Sequence, residues 1–318
     1  MKKFDEIKRE PLLQEAAFKD SLSFWKEFYF ERQAESFLSI ERPDYVNVEG
    51  LSWSWCFGSL QLLVGLYSGG ETIDSLRPYA EHMFSQFQRH KQAYPNFSLK
   101  LWEPDAYQFA LWLLSLAVLL NMPGRIEQVA GYLSDNAEDG QDLLLRQLFA
   151  RVGIALAGND LINKRPYAEL LNAINAQGDE QQQALRSYLK QWYRGMRNCY
   201  WHDRHRRRSD AGFFGYWAFE AGMVTVLWDV DDAPYRNLPY YPKDLVDYAR
   251  ERQVIQTFPR SLQAATYSDA IAKSGELCPR TGVWVCDDWV VGPQTFMQGV
   301  EMPADEGRIL TWRLVKGL

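Results

Sequence analysis

Up to Pro259 the apolar residues recur at the three- and four-residue spacing of α-helices, and the interruptions fall at Pro, Gly, Asn and Asp. In 12–40, Phe18, Phe24, Trp25, Phe28, Tyr29 and Phe37 stand among Lys, Glu, Arg and Gln, which predicts an amphipathic helix ended by Pro43. The stretch 51–67 is more apolar and stops at Ser68-Gly69-Gly70, a helix-terminating signal. A further helix is predicted from Thr72 or Asp74 toward Arg89. Asp105 is placed to cap a strongly apolar helix that ends at Leu120, with Pro123 beyond it. Shorter helices follow at 125–133, 142–157 and 166–171, and 179–199 carries a stripe of Ala184, Leu185, Tyr188, Leu189, Trp192 and Met196.

The remaining helical stretch, 212–250, reads as the centre of the molecule. Its first half is apolar on every side to Trp228, with Glu220 as the one charge, so it has no solvent face and belongs inside other helices. Gly212, Gly215 and Gly222 fit close packing, or a helix that begins later than Gly215. An acidic turn, 229–232, leads to a second helix opened by Pro242, with Asp244 in its first turn and Arg250 near its end, as the helix dipole favours. Beyond Pro259 the helical period disappears. A linker with one short helix is expected over 261–273, and short β-prone runs over 282–286, 289–291, 294–298 and 309–315, the last with Leu310, Trp312 and Leu314 alternating with polar residues. The expected fold is mainly α, a multi-helix bundle-like body with a small C-terminal β-rich appendage. Its expected divisions are 1–160, 161–258 and 274–318.

A length of 318 residues with 47% hydrophobic content supports a real core, and a net charge of -6 argues against a nucleic-acid partner. The N-terminus MKKFDEIKRE mixes acids and bases where a secretory signal needs an apolar run, and 109–120 is too short for a bilayer span of about 20 residues. A cytoplasmic protein without a membrane segment is expected. Cys56, Cys199, Cys278 and Cys286 are scattered as in a reduced protein.

Candidate chemistry is sparse. His202 and His205 could share a face, but His82 and His90 lie far off in sequence, and a zinc site needs three or four ligands. Glu220, a carboxylate on an apolar helix, must be paired or neutral. A structural carboxylate held by Arg, Tyr or Trp groups outweighs a general base, because no second carboxylate is placed to pair with it. Asp229, Asp231 and Asp232 lack the ligand alternation of a calcium loop. Phosphate-binding loops are absent, and Arg204 to Arg208 reads as a solvated basic run. No metal, cofactor or catalytic residue is assigned, and a non-enzyme is expected. Two alternatives stand beside it: a metal-dependent hydrolase with its site near Glu220, His202 and His205, and a nucleic-acid-associated regulator using Arg204 to Arg208.

GYWAFE at 215–220, DD at 231–232 followed by Tyr235-Arg236, and YYPKDLVDY at 240–248 resemble the C-terminal domain of PoNi proteins, the immunity proteins of PoNe-type polymorphic nuclease toxins. LLVGLYSGGETIDSL at 62–76 resembles that family's N-terminal helical domain, and the resemblance covers roughly 12–255. GELCPRTGVW at 275–284, QGVEMP at 298–303 and Thr311-Trp312 are similar to a β-rich extension of related immunity proteins. The resemblance implies a protein that binds and neutralises a secreted bacterial toxin, often one delivered by type VI secretion in competition between bacteria. An acidic chain suits a partner with a basic surface, so Asp229, Asp231, Asp232, Asp244 and Asp247 are the expected toxin-binding residues. Tyr216, Trp217, Phe219 and Glu220 are the expected structural core. A homodimer is left open, and neither a nucleic acid nor a membrane is expected as partner.

Overall fold

A computed structural model describes residues 3–32, 47–133, 141–206, 212–258, 271–279, 281–286, 294–304 and 308–317. Contacts divide the chain into a helical unit, Met1–Phe149 with Ile154–Thr257, and a second unit, Ala150–Gly153 with Phe258–Leu318. The fold is mainly α with a small antiparallel sheet near the C-terminus.

In the helical unit, α1 (Phe4–Ile7) precedes α2 (Glu15–Lys26), which passes into a π-helical turn, Glu27–Glu31. Phe37 and Pro43 lie outside the described residues. The helices α3 (Val48–Ser68) and α4 (Ile73–Ala93) pack as a pair, and Thr72 caps the second by accepting from Ser75 N. The apolar α5 (Pro104–Leu119) is buried from Ala106 onward. Its cap is Glu103, with Pro104 in the first turn. Asp105, expected as the cap, instead accepts from Tyr200 N at 3.0 Å. Next come α6 (Ile126–Ala130), α7 (Leu143–Arg151), α8 (Lys164–Asn175) and α9 (Gly178–Gly195), whose stripe Ala184, Leu185, Tyr188, Leu189 and Trp192 is buried.

The centre is α10 (Phe219–Leu227), buried along its whole length and packed on α5, with α11 (Lys243–Glu251) and the short α12 (Val254–Thr257) beside it. Gly222 makes the approach of α11 possible, because a Cβ there would press on Pro242 and Val246 at the α11 start. The apolar run is helical only from Phe219. Residues 212–218 are non-helical, with Gly215 at φ 105° and a backbone tied down by neighbours rather than by helical bonds. Ser68 Oγ donates to Phe214 O at 2.6 Å and accepts from Trp217 Nε1 at 2.8 Å, and Glu10 accepts from Tyr216 N at 3.0 Å. Side chains rarely adopt that φ, and a Cβ on Gly215 would overlap Ser68 Oγ.

The second unit holds β1 (Ile271–Lys273), β2 (Gly282–Cys286), β3 (Gln294–Phe296) and β4 (Thr311–Gly317) in the order β1-β4-β2-β3, all antiparallel. Strand β1 occupies the end of the stretch read as linker; the short helix expected there and the run 289–291 lie outside the described residues. The register sets Trp312 opposite Ala272 on one side and Cys286 on the other. Those residues share a separate core with Cys278, Trp284, Met302, Leu310 and Leu314. All four cysteines are buried.

Candidate functional site

The acidic turn follows from the way α10 ends. Trp228 is the C-cap and Asp229 takes the left-handed conformation (φ 53°), after which Val230 N returns to Thr225 O at 3.0 Å. Asp229 and Asp231 are exposed. Asp231 Oδ1 accepts from Ala233 N at 3.1 Å, and Gln182 Nε2 of α9 donates to Asp231 O at 2.9 Å. Asp232 turns inward and is 5% exposed. It accepts from Arg250 Nη1 at 2.8 Å, Arg236 Nη1 at 3.0 Å and Tyr241 OH at 2.9 Å. Burial opposes its ionisation, but the Arg250 and Tyr241 hydrogen bonds and both guanidinium charges outweigh it and hold the carboxyl below its ordinary range.

The other two acids of the group are also engaged. Arg236 Nη2 grips Asp247, and Asp244 accepts from Arg9 Nε at 2.5 Å. Arg9 further donates to Tyr67 O and Glu71 O, so Asp244 helps fasten the N-terminal segment to the end of α3. Of the five aspartates expected to face a partner, the structure turns Asp229 and Asp231 to solvent and builds Asp232, Asp244 and Asp247 into ion pairs with arginines. The four-residue spacing of Asp232 and Arg236 carried that signal in the sequence; Arg9 and Arg250 could not be found by spacing.

Tyr216, Trp217, Phe219 and Glu220 are all buried. The Glu220 carboxylate is fully enclosed and receives three neutral donors: Tyr188 OH at 2.7 Å, Trp192 Nε1 at 2.6 Å and Gln108 Nε2 at 3.2 Å. Gln108 is itself fixed by Tyr167 OH at 2.5 Å. Burial drives the Glu220 carboxyl up to about 7, and the three hydrogen bonds offset only part of that shift. Its partners are aromatic and amide groups that orient it.

The histidines have separate partners. His82 Nε2 meets Tyr29 O, and His90 Nδ1 meets Ser52 Oγ at 3.0 Å while burial pushes it down to about 4. His202 stacks on Tyr193 with centroids 4.3 Å apart, and His205 Nδ1 meets Tyr216 OH at 2.8 Å. Among the described residues no group of three His, Cys, Asp or Glu side chains could hold a metal ion. In the basic run Arg204 lies over the Tyr200 ring and Arg206 stands 3.6 Å from Asp203; Arg207 and Arg208 are outside the described residues. A groove of about 800 Å³ is lined by Phe24, Trp25, Arg204, His205 and Phe213, and another of about 640 Å³ by Arg9, Glu10, Tyr240 and Asp244. Burial raises the Glu10 carboxyl, although its oxygens accept from the Leu12 and Tyr216 backbones. Among the described residues no helix is long and apolar enough to cross a membrane.

No curated protein sequence matches the chain. Protein PA2201 from Pseudomonas aeruginosa, known from a crystal structure, is similar with a TM-score of 0.52 over 74% of this chain and 87% of that one; at 22% identity the likeness is one of fold. The family model for the N-terminal part of the PoNe immunity protein (PoNi) matches residues 9–132, and that for the C-terminal part of PoNe immunity proteins matches residues 140–245. With both parts matched in order, and α3, α10 and the Asp232 turn within them, the chain belongs to the PoNi family of immunity proteins of PoNe nuclease toxins.

Proposed function

We propose that this protein protects its own cell by binding a PoNe-type nuclease toxin directly and blocking it, without itself catalysing a reaction. The match to both halves of the PoNi family carries this reading. In it the toxin arrives by type VI or a similar secretion route and is met in the cytoplasm. Segments 1–160 and 161–258 act as the halves of the family's body, and 274–318 as an addition to it.

The helical scaffold supplies rigidity. Asp232, with Arg236, Arg250 and Asp247, fixes the turn from which Asp229 and Asp231 project. These two exposed acids serve as rim charges toward a basic part of the toxin surface, where they raise the rate of encounter more than they slow escape. Asp244 and Asp247 contribute through the shape they maintain.

Co-expression tests the reading: cells making the PoNe-type toxin paired with this protein survive when the protein is present and die when it is absent. Equal killing in both cultures would overturn it. The double variant Asp229→Lys/Asp231→Lys is expected to reduce the association rate several-fold, by roughly the factor typical of rim charges, with little change in dissociation. An unchanged association rate would remove the turn from the interface.

A further inference from the structure

Helix α9 (Gly178–Gly195) buries one face and leaves the other to solvent, and the charges of that outer face are sorted by sign. Asp179 and Glu180 are exposed in its first turn, and Gln182 ties the backbone of the exposed Asp231, in the acidic turn, to the same end of the helix at 2.9 Å. Arg186, Lys190 and Arg194 are exposed at successive four-residue steps. Each step places like charges side by side on the helix surface, an arrangement that destabilises a helix, and no acid stands at a spacing that would relieve it.

The basic half continues beyond the helix. Gly195 packs against the Pro166 ring, which joins the end of α9 to the segment that carries the exposed Arg165, and Arg197 is exposed just beyond the helix. Asn163 Nδ2 donates to Leu101 O at 2.7 Å, which joins the segment just before Arg165 to the one that carries the exposed Trp102, 57% accessible. Among the described residues Arg165, Arg186, Lys190, Arg194 and Arg197 have no ion-pair partner. A ridge of about 27 Å, from the length of α9, thus runs from an acidic end to a basic end.

We propose that this ridge is the docking face for the toxin, and that the toxin presents carboxylates to the Arg186, Lys190 and Arg194 row. The inference rests on the reading of the protein as a toxin-binding immunity protein and adds the face and the charge of the partner. Unpaired cations call for an anionic occupant, and segregated charge fixes its orientation, because a reversed partner would meet like charges at both ends. Trp and Arg, both exposed in these bonded segments, are the side chains that dominate protein interface energetics. Nucleic acid fits less well, since the acidic end of the same ridge repels phosphate. A second copy of the chain fits less well too, because the outer face of α9 lacks the apolar centre of homodimer interfaces.

The test uses the full chain and the purified nuclease domain of its paired PoNe-type toxin, titrated at low and high salt. Neutralising the row with Arg186→Gln/Lys190→Gln/Arg194→Gln keeps good helix formers, and the thermal melt of the variant verifies folding. Its affinity should fall by about tenfold or more, with a weaker salt dependence than the native chain. Trp102→Ala should raise the dissociation rate by about tenfold. If the native chain binds and both variants bind equally well, the docking face is wrong and the immunity reading stands. If the native chain does not bind the toxin, the immunity reading itself fails. Binding of a labelled DNA duplex that disappears in the triple variant, or a native dimer that dissociates in it, would overturn the assignment in favour of nucleic acid or self-association.

Discussion

Glu220 offers the sharpest test of the buried architecture. Its carboxyl titrates near 7 in the folded chain against an ordinary value of 4.5, because burial penalises the charged form more than Tyr188, Trp192 and Gln108 compensate. A carboxyl raised in this way binds a proton in the folded state that the unfolded state has already released, so folding loses free energy as pH climbs from about 4.5 to about 7. The span corresponds to roughly 3 kcal/mol, lost at about 1.4 kcal/mol per pH unit within the window and constant outside it. Glu220→Gln does not titrate and serves as the reference, so carboxylates common to both proteins cancel in the difference. Urea unfolding of both chains at half-unit steps from pH 4 to about 8.5, analysed where the denaturant slopes agree, reads the effect directly. The native protein should be most favoured over the variant at low pH and lose its relative stability by about pH 8. A difference that stays flat across the window would show that the three donors keep Glu220 ionised and would refute the reasoning.

Other consequences are independent of that carboxyl. Asp232→Asn should cost about 2–3 kcal/mol, less than a fully buried pair because Arg236 and Arg250 are partly exposed, and a urea midpoint equal to the native one would contradict the role given to the cluster. Since the Asp232 carboxyl is held low, the stability it supplies is present above its ordinary range and lost as pH falls through its depressed value; the acid limb of unfolding should therefore be shallower in Asp232→Asn. Gly215→Ala, at φ 105° against Ser68 Oγ, should destabilise by about 1–3 kcal/mol, and an unchanged melting temperature would show that the 212–218 segment can relax. Trp312→Ala removes a fully buried indole from the sheet core and its hydrogen bond to Pro303 O at 3.0 Å; loss of near-ultraviolet dichroism with little change in helical signal is the expected result. Equal loss of both signals would contradict a separate core in the second unit.

Helical periodicity carried most of the fold. The α9 stripe, the end of α3 at Ser68 and the all-round apolar α5 and α10 were readable because buried faces repeat at helical spacing and Gly or Pro punctuates them. For 212–218 the sequence left two readings, a tightly packed helix or a helix that begins later than Gly215; the second holds, because these apolar residues serve a non-helical strap held by Ser68 and Glu10 from distant parts of the chain. Asp105 failed as a cap for a similar reason: Tyr200, far along the sequence, claims it. The site was less legible. Five acids clustered in sequence look alike, yet their exposure depends on Arg9, Arg236 and Arg250, of which Arg236 alone stands at a local spacing. The sorted charge of α9 was present in the sequence from the start. It acquires meaning once Gln182 joins that helix to the acidic turn and Gly195 meets Pro166 at its far end.

Inhibition measured in solution bears most directly on the central claim. The purified chain, added in increasing amounts to the nuclease domain of its paired PoNe-type toxin, should form a saturable complex and abolish nucleic-acid cleavage in step with complex formation. Cleavage that continues undiminished in the presence of excess folded protein, with no complex detected, would contradict it.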